Sequence, residues 1–370
     1  MKIVKEVETY KDDSRRMFKV VKDLQRRKEK KKIVVDGKDG KTTDEKEQVK
    51  IVTSFFNNMF SKEEEEIQNI RPRKMEEKFT TEEVKAAVKR LKNGKSAGMD
   101  NLQAEMIKYG PDGICTGIAE IFNETAETGK PPDEIQGGIL IPLPKPGKKA
   151  GPPGNLRPII LLSMLRKIFA ICMLKRTSNK LLSKIPPTQA AYQEGRSTTE
   201  MVFSFKILAE KAITSQDYNI TILLLDMSKA FDTVRRAELF KILKGILKED
   251  ELHMMKILVE NVKLRVRIGR TTGEEIITNI GVPQGDCLSP ILFILYLAEA
   301  LKPIRTIAIP PYIEDHRYSN HSTKLLMIDQ QYADDISWIT NNKTRKNELR
   351  KETPAILGKK NLTTNDTKKK

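Results

Sequence analysis

Cysteine is scarce. The chain has three in 370 residues, Cys115, Cys172 and Cys287, far apart and without a CxxC pair. That spacing offers neither a disulfide framework nor a zinc knuckle, and it fits a reducing compartment. Histidine is as sparse: His253, His316 and His321 are too few and too scattered for a zinc cluster. Long apolar runs are also missing. The longest, including PILFILYLAEAL at 290–301, fall short of the roughly 20 residues a membrane-spanning helix needs. The opening MKIVKEVETYKDD lacks the apolar stretch of a secretory signal, so triplets such as Asn219-Ile220-Thr221 read as chance glycosylation matches. No solenoid or propeller period is visible. The expectation is a soluble, intracellular protein with no membrane partner.

Positive charge is in excess. Sixty-seven Lys and Arg face 50 acids, for a net charge of +17 and a pI near 9.5. Such a balance argues for a polyanionic partner, nucleic acid first and an anionic membrane second. With 38% hydrophobic residues, a chain this long can bury a substantial core and hold two or three subdomains.

The periodicity predicts an amphipathic basic helix over 10–32, ending in RRKEKKK, then a short hairpin at VVDGKDGK (34–41). Thr43 is the expected cap of a helix carrying Val52, Phe55, Phe56, Met59 and Phe60 on one side, with SKEEEE (61–66) as a linker. Thr80 or Thr81 starts the next helix. Residues 142–157, PLPKPGKKAGPPGNLR, are too rich in Pro and Gly for a helix or a central strand. IILLSMLRKIFAICMLKR reads as a buried helix with a basic end, and ITILLLDMSKAFDTV as a fully buried strand turning into a helix. At 281–301 a Gly/Pro loop precedes a helix, with Ser289 as N-cap and Pro290 in the first turn. The irregular alternation favours α+β.

Three places carry chemistry. In Leu223-Leu224-Leu225-Asp226 a strand ends in an acid, which is either a helix N-cap or a sheet-edge carboxylate. In QQYADDISWIT, Asp334 and Asp335 sit at a hairpin turn between the apolar arms Leu325–Ile328 and Ile336–Ile339. Asp is common in surface turns, but if Asp226 and Asp334 end neighbouring strands, the like charges converge. Such a cluster selects a hard cation, Mg²⁺ or Mn²⁺, and two ions so held suit phosphoryl transfer. In GVPQGDCLSP (281–290), Gly281 and Gly285 permit close backbone approach to a ligand, and Gln284 offers a neutral donor and acceptor.

In order, Asp-x-x-x-Ala-Phe-Asp, GxPQGxxxSP and Tyr-Ala-Asp-Asp resemble the palm of reverse transcriptases, those of non-LTR (LINE-type) retrotransposons most of all. NGKSAGMDNLQAEMIK (93–108), IPLPKPGK (141–148), NLRPIILLS (155–163) and GRSTTE (195–200) look like that family's finger segments, and KKNLTTNDTKKK (359–370) like the palm's final turn and strand. The resemblance covers about residues 90–370. It implies a right-hand polymerase fold of class α+β, with fingers and palm (an antiparallel sheet flanked by helices). The implied division is a basic helical extension at 1–90, fingers with part of the palm at 91–215, and palm at 216–370. The thumb that should follow Lys370 is missing on this reading, as is an upstream endonuclease. The chain then reads as a fragment of a longer polyprotein or a decayed copy, with 341–370 poorly ordered for want of a packing partner.

By the same resemblance the activity is RNA-directed DNA polymerisation, a nucleotidyltransferase reaction using dNTPs, an RNA template and a DNA primer. Asp226, Asp334 and Asp335 would be catalytic and hold Mg²⁺ (or Mn²⁺), with the Met227 carbonyl as a further ligand. Phe231 would block a ribose 2′-hydroxyl, Gln284 and Gly285 would line the nucleotide pocket, and Lys145 and Arg157 would cradle the triphosphate. Arg196 and Tyr332 would touch nucleic acid. Such enzymes prime on chromosomal DNA, which implies the nucleus. The sequence departs from the family where its aromatic-Arg-Pro before GRST is AAYQEGRST, and where NYRPISLLS is NLRPIILLS. The competing readings are a catalytically silent nucleic-acid-binding remnant and a group II intron-type enzyme with maturase function.

Overall fold

Short strands and amphipathic helices alternate irregularly along the chain, and the result is a mixed α+β architecture. The computed structural model describes residues 33–37, 40–62, 65, 67, 70–214, 220–307, 312–315, 323–326, 329–340 and 343–365. The basic helix expected over 10–32 lies outside them. Strands β1 (Val35–Gly37) and β2 (Gly40–Thr42) form the expected hairpin. Helix α1 (Glu45–Phe60) is capped by Asp44, whose side chain accepts from Glu47 N at 2.9 Å. Thr43 was the expected cap; the carboxylate one residue on also complements the helix dipole. The spacing of Val49, Val52, Phe56 and Phe60 buries one face of α1. Thr80 caps α2 (Thr81–Arg90) as expected, and α3 (Gly113–Thr128) packs beside it.

The Pro-rich stretch departs from expectation. β3 (Gly137–Pro144) and β4 (Leu156–Leu162) are antiparallel and reach into it, with Pro142 opposite Pro158. Two residues without N–H groups thus face each other, and the outer neighbour of β3 pairs only with Gly137–Leu140, short of the prolines. What was read as one buried helix from Ile159 is strand β4, then Ser163 as N-cap, then α4 (Met164–Leu182). Ser163 accepts from Arg166 N and so ends the strand and starts the helix at one residue.

Helix α5 (Thr198–Thr214) is followed by β5 (Thr221–Leu225) and the two-residue β6 (Met227–Ser228). β5 is half buried, not fully: Leu223 and Leu225 point inward while Ile222 and Leu224 are exposed. A 3₁₀ turn, Ala230–Thr233, leads to α6 (Arg236–Lys244) and α7 (Glu249–Val259). β7 (Val262–Ile268) and β8 (Thr271–Thr278) complete a four-stranded sheet of order β4-β3-β7-β8, parallel only between β3 and β7. Helix α1 covers this sheet.

Helix α8 (Ser289–Ile307) has Pro290 in its first turn, as expected, and is buried nearly all round; Ser289, expected as the N-cap, is its first helical residue, and the Leu288 carbonyl accepts the first bond, from Leu292 N. β9 (Tyr312–Asp315) pairs with β10 (Thr323–Leu326), and β11 (Asp329–Tyr332) with β12 (Asp335–Thr340). The acid-bearing hairpin therefore uses Asp-Gln-Gln-Tyr as its first arm, not the apolar Leu325–Ile328. Asp329, Gln330 and Gln331 are nonetheless buried, which apolar periodicity could not signal. β12 lies between β11 and β5 in a three-stranded antiparallel sheet. Helix α9 (Lys343–Lys359) then buries Leu349 and Leu357, and β13 (Thr363–Thr364) pairs with β6. Residues 343–365, expected to lack a packing partner, have one: α9 lies against α8.

Most buried apolar residues form one cluster running from Phe79, Phe122 and Phe169 through α8 to Trp338 and Leu362. Trp338, the chain's sole tryptophan, is fully buried in β12. Side chains of this size contribute about 2–3 kcal/mol each on burial, so the three-stranded sheet rests on a firm base. A second cluster, with Val52, Phe56, Leu140, Val266 and Ile276, fills the space between α1 and the four-stranded sheet.

Candidate active site

β11 and β12 are joined by Ala333 and Asp334 alone, with Tyr332 opposite Asp335 as the last pair. So short a connection needs a residue of positive φ, and Ala333 takes it, at +56°. For an L-residue this costs about 1–2 kcal/mol. β12 also pairs with β5, Trp338 opposite Leu223 and Ile336 opposite Leu225. One step further in that register stand Asp335 on one strand and Asp226 on the other, with Asp334 in the adjoining turn. Three acids from two strands thus meet at one end of the sheet. Asp226 and Asp334 are half buried; Asp335 and Tyr332 are exposed.

The last strand closes this end. Asn365 donates from its backbone N to the Asp226 carbonyl at 2.7 Å and from Nδ2 to Asp226 Oδ2 at 3.1 Å. Met227 is buried opposite Thr364. The donors are hard oxygens of the kind Mg²⁺ takes. Among the described residues, though, no three His, Cys, Asp or Glu side chains are close enough to enclose an ion.

The GVPQGDCLSP loop is fixed from beneath. Gly281 and Gly285 have φ of +78° and +111°. Both glycines are needed for close approach, but here the approach is to the protein's own backbone. A Cβ on Gly281 would come within 3.0 Å of the Phe231 and Asp232 backbone, and one on Gly285 within 2.8 Å of the Ile160 carbonyl. Buried Arg236 donates to the carbonyls of Thr278 (2.6 Å) and Gly281 (2.9 Å). Buried Arg166 donates to the Ile135 and Leu258 carbonyls and pairs with Asp286 at 3.2 Å. Gln284 is held by Asp232, its Nε2 donating to Oδ1 at 2.6 Å. Burial pushes the Asp232 carboxyl up to about 6, although the Gln284 hydrogen bond and the charges of Lys229 and Lys145 pull the other way.

Lys145 belongs to a cationic patch on the β3–β4 hairpin, and Lys229, just after β6, lies close enough to act on its charge. Lys145 donates to the Gly154 carbonyl at 2.8 Å and is half buried; Arg157, Lys148 and Lys149 are exposed. Burial first, then Lys229, holds the Lys145 ammonium below its usual range, while Asp232 opposes the shift. Beside the patch Phe231 stacks on Phe293 at 4.5 Å and meets the edge of Tyr192 at 6.4 Å. Tyr192 also has positive φ, +60°, and burial, then Asp334 and Tyr332, raise its phenol. Arg196 is spent internally: it forms two hydrogen bonds with Glu200 (2.6 and 2.7 Å) and one to the Pro187 carbonyl.

The β12–β5 register places Asp226, Asp334 and Asp335 at one strand end, Tyr192 links Phe231 to Asp334, and Asp232 links Gln284 to Lys145. Sequence reasoning missed Asp232, Lys229, Tyr192, Asn365 and Gln189. Asp232 was visible as the second acid of Asp-x-x-x-Ala-Phe-Asp; nothing in the sequence marked Gln189.

Residues 143–370 match the family described as reverse transcriptase (RNA-dependent DNA polymerase). Similar curated proteins include the probable RNA-directed DNA polymerase from transposon BS of Drosophila melanogaster, 27% identical over 59% of this chain and 24% of that protein. The RNA-directed DNA polymerase from mobile element jockey of Drosophila funebris is 29% identical over 60% of this chain and 24% of its own. The transposon TX1 uncharacterized 149 kDa protein of Xenopus laevis is 27% identical over 64% and 18%. The match thus spans about a quarter of the fly proteins. Among solved structures, apo telomerase from Candida tropicalis gives a TM-score of 0.45 at 15% identity, covering 64% of this chain and 49% of that one. A likeness of that size settles nothing further.

Proposed function

The chain belongs to the reverse transcriptase (RNA-dependent DNA polymerase) family, related to the polymerases of non-LTR retrotransposons, and from that premise we propose that it is the fingers and palm of such a polymerase. On this reading 1–90 is an N-terminal extension, 91–215 fingers with part of the palm, and 216–370 palm. It adds deoxynucleotides to a DNA primer on an RNA template. The primer 3′-hydroxyl attacks the α-phosphorus and pyrophosphate leaves. Asp226, Asp334 and Asp335, with the Met227 carbonyl, would hold two divalent cations, which supply charge neutralisation and a more acidic 3′-hydroxyl. Lys145 and Arg157 take the polyphosphate, the partly buried ammonium and the exposed guanidinium both matching its charge. Phe231, fixed between Phe293 and Tyr192, presents a flat apolar wall where a 2′-hydroxyl would sit. Gln284 and Gly285 form the floor, the former aimed by Asp232. Tyr332, at the rim, would touch nucleic acid. Arg196 would do so only on leaving Glu200.

The observation that carries this reading is the register of β12 on β5, which brings the two acid-bearing strand ends together. It is tested by primer extension on poly(A) with dTTP and Mg²⁺, beside Asp334→Asn. Extension that falls at least about 10³-fold in the variant, with primer–template binding retained, is expected. Equal extension by both would sink it. A second reading, a remnant that binds nucleic acid without catalysis, draws support from the Asn365 amide seated on the Asp226 carboxylate. Salt-sensitive binding without any extension would favour it.

A further inference from the structure

The structure assigns Gln189 a positioning role: its buried amide holds Ala333 in the left-handed conformation that sets Asp334 and Asp335 at the end of β5. Gln189 is wholly buried. Its Oε1 accepts from Ala333 N at 2.9 Å and from Ala191 N at 3.0 Å. Its Nε2 donates to the Ala333 carbonyl at 3.2 Å and to Gln331 Oε1 at 3.3 Å. The amide orientation is not arbitrary, since two backbone N–H donors can face only its oxygen. One side chain thus satisfies both backbone groups of the one turn residue whose φ is unfavourable.

The surrounding backbone makes the arrangement rigid. Gln331 N donates to the Thr188 carbonyl and Ala190 N to the Gln331 carbonyl, both at 2.9 Å, so the segment before Gln189 runs beside β11 as a short parallel bridge. Arg196 ties Pro187 from the start of α5, and Arg305 of α8 ties Asp329 at 2.9 Å. The choice of an amide is chemically pointed. A lysine in this place would neutralise the acids and a glutamate would repel them. Glutamine supplies a donor and an acceptor with no charge.

The consequence for catalysis rests on the polymerase reading; the clamp itself does not. The test compares wild type with Gln189→Met, which keeps length and loses both polar atoms, and with Gln189→Asn, which keeps the amide but withdraws it by one methylene. Amide hydrogen exchange should quicken roughly ten-fold or more at Ala333 and its neighbours in Gln189→Met, with Leu223 and Leu225 of the same sheet unchanged. Gln189→Asn should fall between. In primer extension kcat should drop by roughly ten-fold or more, while KM for dNTP and Kd for primer–template stay within about two-fold. The loss should shrink when Ala333→Gly is added, because glycine adopts this φ unaided. Exchange that quickens evenly across the sheet, or not at all at Ala333, would overturn the clamp, as would a raised KM with kcat intact. If wild type extends no primer, the polymerase reading fails and the exchange data still decide the clamp.

Discussion

Two loops meet at the candidate site and they are held by opposite means. The GVPQGDCLSP loop is locked by charge: Arg236 on its entry, Asp232 on Gln284, and Arg166 on Asp286. The Ala333–Asp334 turn is locked by neutral amides, Gln189 on Ala333 and Asn365 beside Asp226. Among the described residues, Arg305 pairs with Asp329 at the far end of β11. The difference follows from what each loop must do. On the proposed reading, a floor for the nucleotide needs stiffness. A tip that is to attract cations loses its field if its own supports carry positive charge.

The charged lock is where stability should be most exposed. Arg166→Met leaves Asp286 buried without its partner and two carbonyls without a donor, a loss of about 3–5 kcal/mol in urea denaturation. Adding Asp286→Asn should recover a good part of it. A single-variant loss below about 1 kcal/mol would mean that water reaches Asp286, and the contrast between the two loops would collapse.

Next in size is Asp232. Its carboxyl, raised to about 6 in the fold, is disfavoured as an anion, so the native state loses stability as pH climbs from about 4 to about 6 and stays level above. Asp232→Asn can still accept from Gln284 and carries no charge. It should be more stable than wild type by on the order of 2 kcal/mol at pH 7.5, with the gain gone below about pH 4. Thermal melts at both pH values check this. A gain independent of pH would mean that the carboxyl is not desolvated.

The two loops also differed in how far the sequence revealed them. The charged loop was legible: Gly281, Gly285 and Gln284 stand in a patterned segment, and Ser289 marks the helix start. The turn itself was legible too, as paired acids before the apolar run Ile336–Ile339. Its first arm was not, because Asp329, Gln330 and Gln331 are buried without being apolar, so periodicity pointed to Leu325–Ile328 instead. Their burial depends on Thr188, Gln189 and Arg305, partners remote in sequence, and no local rule connects residue 189 to residue 333. Tyr192 shows the same blindness. It was read only as a departure before GRST, yet the turn after Gln189 carries it to Phe231. Prolines 142 and 158 misled in the other direction, since a proline rule applied to single residues cannot foresee two of them facing each other.

The smallest expected effect on overall stability is at the neutral lock, and there the comparison is sharpest. Gln189→Met removes hydrogen bonds worth about 0.5–1.5 kcal/mol each. The turn lies at the open end of its sheet, between half-buried Asp334 and exposed Tyr332 and Asp335. Once released, the turn can recover part of the roughly 1–2 kcal/mol that Ala333 spends in the left-handed region, although Ala333 and Ala191 are buried and their freed backbone groups stay away from water. Four such bonds outweigh the strain released, so urea denaturation should register a loss of about 1–2 kcal/mol. A loss as large as that for Arg166→Met would show that Gln189 supports the core, not the turn. A small one would mean that the acid tip is placed by bonds that add little to overall stability, so its geometry could be lost while the fold survives.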